Sequence, residues 1–255
     1  MSVGGSLAFA HRDFRALPPL ALPPAPAPAI LARWRQRLAK PEALDEAESL
    51  ALLADFGIAN PGFEIAQSTS EAVAAAERLG LPVALKTAMP GIHHKSEVEG
   101  VRLELATAGE VTPAYEELAQ RLGPRVIVAA MAKPGIELAL GLVQDSQFGP
   151  IMMVGAGGTL IEVLRDRQVA LPPLDGLRAM CLLDRLRLRP LLDGHRRRPA
   201  ADLRKLAAAV ARFSLLAASL GDLIGELDVN PLIAGADGVM AVDALVLPRA
   251  AAKES

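Results

Sequence analysis

The sequence predicts a mixed α/β chain, of the α+β two-lobed kind, and three observations predict it. Residues 42–130 alternate helical and strand periodicities, which implies layering of helices on a sheet. Residues 136–164 carry strand-like runs joined by tight glycine-containing turns, the pattern of hairpins and not of βαβ crossovers. Residues 175–245 then hold two helical stretches followed by two more strands. With 255 residues, 51% of them apolar, the chain is long enough for one large domain or two small lobes around real cores.

Taken in order, residues 16–30 (ALPPLALPPAPAPAI) are proline and alanine with almost no polar side chains, and are expected to form a tether with polyproline character. A first helix is expected over 42–55, with Pro41 at its start and Gly57 as its stop. A strand at 63–66 and a helix at 71–79, capped by Thr69 or Ser70, follow. Val83 to Lys86 forms a buried strand, MPGIHHKSEVEG a loop, 115–122 a helix and 125–130 a strand. In the second lobe, strands are expected at 136–143, 150–154 and 159–164, with Gly155, Gly157 and Gly158 making the turn between the last two. Helices at about 175–186 and 202–220, the latter capped by Asp202, precede strands at 223–229 and 238–245. The expected organisation is a flexible segment 1–40, a lobe 41–131 and a lobe 132–250, joined near 133–135 and enclosing a cleft suited to a ligand.

Several classes are excluded or disfavoured. A net charge of -2 gives no global reason to expect a nucleic-acid partner. Cys181 is the single cysteine, so neither an internal disulfide nor a Cys-based metal site is available, and its apolar surroundings suggest a core position. No apolar run approaches a membrane span, and the start lacks the features of a signal peptide, so a soluble cytoplasmic protein is expected. The tract RLRLRPLLDGHRRRPAAD is strongly basic but nearly free of aromatics, which disfavours stacking on single strands.

The residues that can carry chemistry fall in four places. Lys86 ends an otherwise apolar strand, where its ammonium either meets phosphate as a point charge or snorkels from the sheet edge. His93, His94, Lys95, Ser96 and Glu97 concentrate acid, base and nucleophile in one loop opened by Pro90 and Gly91. The turn at Gly155, Gly157 and Gly158 lacks both the P-loop sequence and a following helix, yet it offers backbone N–H groups that can approach phosphates. Glu137 and Glu162 lie in the strands around it. In ELDVNPL, alternation sends Glu226, Asp228 and Asn230 to one face and Leu227 and Val229 to the other, so a hard cation such as Mg²⁺ would satisfy the oxygens. Asp243 is expected to add another oxygen from the neighbouring antiparallel strand.

Together VALKTAMPGIHHKSEVEGVRL, AMAKPGIELALGLVQDSQFGPIMMVGAGGTLIEVLRD, LLDGHRRRPAAD and ELDVNPLIAGADGVMAVDA resemble the ATP-grasp part of ADP-forming acetyl-CoA (acyl-CoA) synthetases, over about residues 42–246. The pattern is similar, more distantly, to the nucleotide-binding subunit of succinyl-CoA synthetase and to the corresponding part of protein acetyltransferases. The resemblance implies an ATP-grasp fold with ATP or ADP in a cleft between lobes. It implies that Lys86 holds phosphates, that Met131 borders the adenine, and that the Gly155–Gly158 turn closes over the phosphates. Glu226 joins the nucleotide surroundings by the same resemblance, while Glu137 and Glu162 are expected there because one face of each of their strands should face the cleft. Asp228, Asn230 and Asp243 match the Mg²⁺ region, and His94, beside Lys95, matches a histidine that carries a phosphoryl group between sites. The implied reaction is ATP + carboxylate + CoA giving ADP + phosphate + acyl-CoA, with CoA bound on a partner subunit and homo-oligomerisation possible within the complex.

Glu99 and Arg197 stand where the family pattern has glycine, and the CoA-binding part is expected on a partner. The other readings of the same residues are an ATP-grasp ligase joining a carboxylate to an amine, and a non-catalytic nucleotide-binding regulatory module.

Overall fold

The computed structural model describes residue 14 and residues 17–92, 95, 97–158, 165–194 and 199–249. The chain divides into two compact units, one formed by residues 1–60 with 134–255 and the other by the continuous stretch 61–133. The second unit is therefore an insertion in the first. Residues 41–60, expected to belong with the earlier lobe, group with the later one. Their backbone explains it: Leu44 N donates to Val246 O at 3.0 Å and Ala241 N to Ala59 O at 2.8 Å.

In the inserted unit, strands β1 (Phe63–Ala66), β2 (Val83–Thr87), β3 (Val101–Leu105) and β4 (Val126–Ala130) form an antiparallel sheet in the order β1-β4-β2-β3. Two helices, here α3 (Thr69–Leu79) and α4 (Ala108–Leu122), cover one face. Val83 and Leu85 of β2 and Val126 and Val128 of β4 pack with Ala72, Ala75, Ala76, Val111 and Leu118 in that layer. The expected helix at 115–122 begins seven residues earlier, with Thr107 as its cap in a reciprocal capping box with Glu110. Pro113 obscured this, because an interior proline ordinarily breaks a helix; here it stands in the second turn. Strand β3, unassigned from sequence, is an edge strand.

In the first unit, β5 (Ile136–Asp145), β6 (Gly149–Ala156), β7 (Arg167–Ala170), β8 (Ile224–Gly235), β9 (Gly238–Ala241) and β10 (Ala244–Pro248) form an antiparallel sheet in the order β10-β8-β5-β6-β7, with β9 also on β8. Helices α1 (Pro28–Leu38), α2 (Glu46–Asp55), α5 (Gly176–Leu183), α6 (Arg189–Leu192) and α7 (Leu203–Leu220) complete it. Register places Leu138, Leu140 and Leu142 beside Met152, Val154, Leu227 and Val229 on one face, all buried. With Leu206, Val210, Phe213 and Leu216 of α7 they make the core, each buried aliphatic side chain contributing about 1.5–3 kcal/mol. Asp202 caps α7 as expected, accepting from Lys205 N.

Three expectations change. Helix α2 starts at Glu46, not at 42, because Asp45 and Glu48 form a capping box and Leu44 is held in a bridge to Val246. The strand that returns alongside β6 is Arg167–Ala170, pairing Gly155 with Arg167; the expected strand 159–164 lies outside the described residues.

The third concerns the proline segment, which is fastened to the first unit. Ala21 N donates to Asp175 Oδ2 at 3.0 Å, Arg178 Nη2 to Pro18 O at 3.0 Å, and the Arg178 guanidinium lies over the Phe14 ring. From Pro28 the chain is helical, with proline in the first turn where a missing amide costs nothing. Trp34 is buried and donates to Asp55, while Arg33, Arg35 and Arg37 pair with Asp55, Asp222 and Glu48. That arginine cluster serves the fold. Among the described residues no helix is long and apolar enough to cross a membrane. Cys181 is half-buried, and burial pushes its thiol pKa up, which leaves it a poor nucleophile.

Candidate functional site

In the first unit the candidate residues lie on the sheet face opposite α7. Along β8 the alternation holds, with Leu227 and Val229 buried, Glu226 exposed, and Asp228 and Asn230 half-buried. The glycine turn comes to this face at Asn230, where Gly158 N donates to Asn230 Oδ1 at 3.0 Å. Gly157 N donates to Glu137 O at 2.9 Å.

The turn is fitted so closely that side chains are excluded. A Cβ on Gly155 would lie 2.5 Å from Asp166 O, and one on Gly157 would lie 2.3 Å from Leu138 O. One on Gly158 would meet a Glu137 carboxylate oxygen. Gly158 also has a φ of +56°, which glycine adopts without strain. Beyond the turn, the buried Asp166 accepts from Leu188 N at 2.8 Å and from Ala156 N through its carbonyl, which anchors the returning strand.

Asp243 is not within a strand, as had been expected. It falls in the break between β9 and β10, because β8 is long enough to pair with β9 along one half and β10 along the other. There its carbonyl accepts from Asn230 N at 3.2 Å and its carboxylate from Ala244 N at 2.8 Å, so it is a direct neighbour of Asn230. Glu226 shares the face but lies four strand residues from Asn230, about 13 Å along β8, opposite Val143 and Leu247. The structure thus gathers Glu137, Gly157, Gly158, Asn230 and Asp243, with Asp228 next along the strand, and leaves Glu226 apart. Among the described residues no group of three His, Cys, Asp or Glu side chains is assembled as a metal site.

In the inserted unit Lys86 is the fourth residue of β2, which runs on to Thr87, and it is paired on both sides with Val101 and Ile127. It is therefore in the sheet interior and only 4% exposed, which removes the reading as a lysine leaving a sheet edge. Alternation puts Ala84 and Lys86 on the face away from the helices. Met131 follows β4 and donates its N–H to Pro82 O at 3.3 Å.

The histidine-bearing segment leaves this strand directly. His93, His94 and Ser96 lie outside the described residues, as does Glu162. Lys95 is half-buried, and its carbonyl accepts from Gly100 N at 2.7 Å, while Gly100 O accepts from Thr87 N at 2.8 Å. Glu99 has a φ of 51°, a left-handed conformation that a side chain destabilises and that accounts for glycine in the family pattern. Glu99→Gly is expected to raise stability by about 0.5–1 kcal/mol, the left-handed cost relieved less the entropy that glycine adds to the unfolded chain. An unfolding midpoint that stays level or falls would contradict this.

Around the segment's ends stand residues that spacing did not single out. Glu117 and Arg121 of α4 meet Arg102 of β3, and hydrogen bonding from Arg102, ahead of Arg121, holds the Glu117 carboxyl below the usual carboxylate range. Packing of α4 against β3 brings residues 102, 117 and 121 together; the helical i,i+4 spacing of Glu117 and Arg121 is the one sequence signal.

Comparison with known proteins gives the family. The model of the ATP-grasp domain family matches residues 36–247. The beta subunit of an ADP-forming acetate–CoA ligase II from Pyrococcus furiosus is 32% identical over 215 residues, covering 80% of this chain and 91% of that one. Two solved structures of a dinucleotide-forming acetyl-coenzyme A synthetase from Ca. Korarchaeum cryptofilum each cover 86% of this chain and 98% of theirs. One, with coenzyme A and Mg-AMPPCP and its phosphohistidine segment pointing towards the nucleotide binding site, has a TM-score of 0.73 at 32% identity. The other, with coenzyme A, acetyl-coenzyme A and a phosphorylated phosphohistidine segment in its site I orientation, has a TM-score of 0.74 at 30% identity. The chain belongs to the ATP-grasp domain family and is related within it to the beta subunits of ADP-forming acetyl-CoA synthetases.

Proposed function

We propose that the chain is the nucleotide-binding, phosphoryl-transferring part of an ADP-forming acyl-CoA ligase. It would act with a CoA-binding partner subunit, in the cytoplasm. The observation that carries this reading is the bond from Gly158 N to Asn230 Oδ1, which fixes a side-chain-free turn on the oxygen-bearing face of β8. The N–H groups of Ala156 and Gly157 are held by Asp166 O and Glu137 O, and Gly158 N–H would exchange Asn230 for a phosphate oxygen as the turn closes.

Asn230 and Asp243, with Asp228 beside them, are a donor set suited to Mg²⁺. That ion is held through few protein oxygens and completes its shell with water and nucleotide phosphates, so a three-carboxylate cage is not required. Bound Mg²⁺–ATP supplies the γ-phosphoryl group and the charge neutralisation that its transfer needs.

The chain's own residues do the rest. Lys86 directs a buried positive charge to the phosphates, and the Gly155–Gly158 turn closes over them. Met131 borders the base. A neutral His94 nitrogen attacks the γ-phosphorus as the bond to the ADP oxygen breaks, and the phosphohistidine then gives the group up to the acyl-phosphate-forming partner.

Calorimetry of the purified chain is expected to show ATP and ADP binding that depends on Mg²⁺. Incubation with γ-labelled ATP is expected to leave acid-labile, base-stable label that His94→Asn removes. CoA ligation is expected only once the partner is added. Absence of nucleotide binding by the folded chain would end this reading; binding without label on His94 would leave a nucleotide-binding module only.

A further inference from the structure

Both ends of the segment that carries His94 are fastened by arginine side chains, and the fastenings form one connected group. At the first end Arg125 Nη1 donates to Ala88 O at 2.6 Å, and Ala88 N donates to Arg125 O at 2.9 Å. Met89 then packs on Gly123, where a Cβ would come within 2.7 Å of its sulfur.

At the second end Arg121 Nη2 donates to Val98 O at 3.2 Å, and Arg102 Nη1 donates to both Glu99 O and Val101 O at 2.9 Å. Glu117 lies between the two guanidiniums, accepting from Arg102 Nε at 3.1 Å and from Arg121 Nη1 at 3.1 Å. Thr87 N donating to Gly100 O ties the two ends to each other. Backbone carbonyls held by charged donors are firmer than those held by neutral ones.

We propose that Arg102, Glu117, Arg121 and Arg125 are positioning residues for phosphoryl transfer, clasping residues 88 and 98–101 so that the chain on either side of the histidine-bearing stretch is held in place. The inference rests on the phosphohistidine reading above. A clasp of this kind does little for global stability, because its ion pairs are largely exposed to solvent and screened. What it supplies is a fixed pivot: a histidine that must present its nitrogen in line with a phosphorus atom loses rate when its support shifts. Glu99 belongs to the same group, since its side chain pairs with Arg121 while its carbonyl is held by Arg102.

The test uses the whole chain with Glu117→Gln and Arg102→Met, and Glu117→Asp as the conservative variant. Amide hydrogen exchange in a peptide spanning residues 88–101 is expected to quicken about tenfold in the first two, with peptides of α7 unchanged and no shift in the unfolding midpoint. Labelling from γ-labelled ATP is expected to slow by about 10–100-fold in kcat at unchanged KM for ATP, with Glu117→Asp recovering most of the rate.

Unchanged exchange in both variants overturns the proposal, as does quickened exchange with an unchanged labelling rate or a defect confined to KM. Should Arg102→Met fail to fold, the isosteric and exposed Glu117→Gln decides alone. A wild-type chain that binds ATP but takes no label would defeat the phosphohistidine reading instead. In that case the exchange measurement still says whether the clasp holds the segment's ends.

Discussion

Gly157→Ala is expected to weaken Mg²⁺–ATP binding by about 10–100-fold, about the worth of one hydrogen bond to a charged group. The added methyl would lie 2.3 Å from Leu138 O and 2.4 Å from its carbonyl carbon. Those atoms belong to β5, paired on both sides with β6 and β8, so the strand cannot retreat. The turn must move instead, breaking the bonds from Gly157 N to Glu137 O and from Gly158 N to Asn230 Oδ1 and displacing the cover over the phosphates. Overpacking of this kind also costs about 1–3 kcal/mol of stability. Gly176→Ala serves as the control: it stands at the start of α5 with nothing within 4 Å of a Cβ, and is expected to be neutral or slightly stabilising. Calorimetric titration of both variants checks the pair. Equal ATP affinity in wild type and Gly157→Ala would remove the turn from the binding site.

Asp175→Ala is expected to lower stability by about 3–5 kcal/mol, because it leaves the Arg178 guanidinium without its partner in a largely buried setting. The side chains of Asp175 and Arg178 are 3% and 13% exposed. The same carboxylate caps α5 by accepting from Arg178 N and holds the proline segment through Ala21 N. Burial by itself would push the Asp175 pKa up, but hydrogen bonds from Arg178 N and Ala21 N and the Arg178 charge outweigh it and hold the pKa down. A pKa lower in the folded than in the unfolded chain contributes stability above the unfolded value and loses it as pH falls through the folded one. Asp175→Asn, which can still cap the helix, should therefore trail the wild type at neutral pH and draw level in acid. Denaturant unfolding at the two pH values measures this, and a gap that stays constant with pH would refute the assignment.

The parts of this molecule legible in the sequence are those whose causes are local. Glu226, Asp228 and Asn230 announced their shared face because Leu227 and Val229 alternate with them and must be buried. Asp202 announced α7 because a cap acts within one turn. The rest depends on partners far along the chain. Asp243 meets Asn230 only because one long strand serves two short ones, and nothing near residue 243 records the length of β8. The proline segment had the composition of a free arm, and a composition is silent about Asp175, some 150 residues away. Lys86 looked terminal because β2 was expected to stop one residue early and the edge strand β3 had not been assigned.

The insertion of one unit within the other has a bearing on how a ribosome delivers this protein. Residues 61–133 are contiguous and can fold as soon as they emerge. The surrounding unit cannot. Leu44, near its beginning, bonds to Val246, near its end, and Ala59 bonds to Ala241, so some two hundred residues must be made before its sheet can close. Contacts of such wide separation are slow to form. The nascent chain therefore carries a finished inner unit while α2 waits with its apolar side uncovered. That interval is when it most needs protection from aggregation.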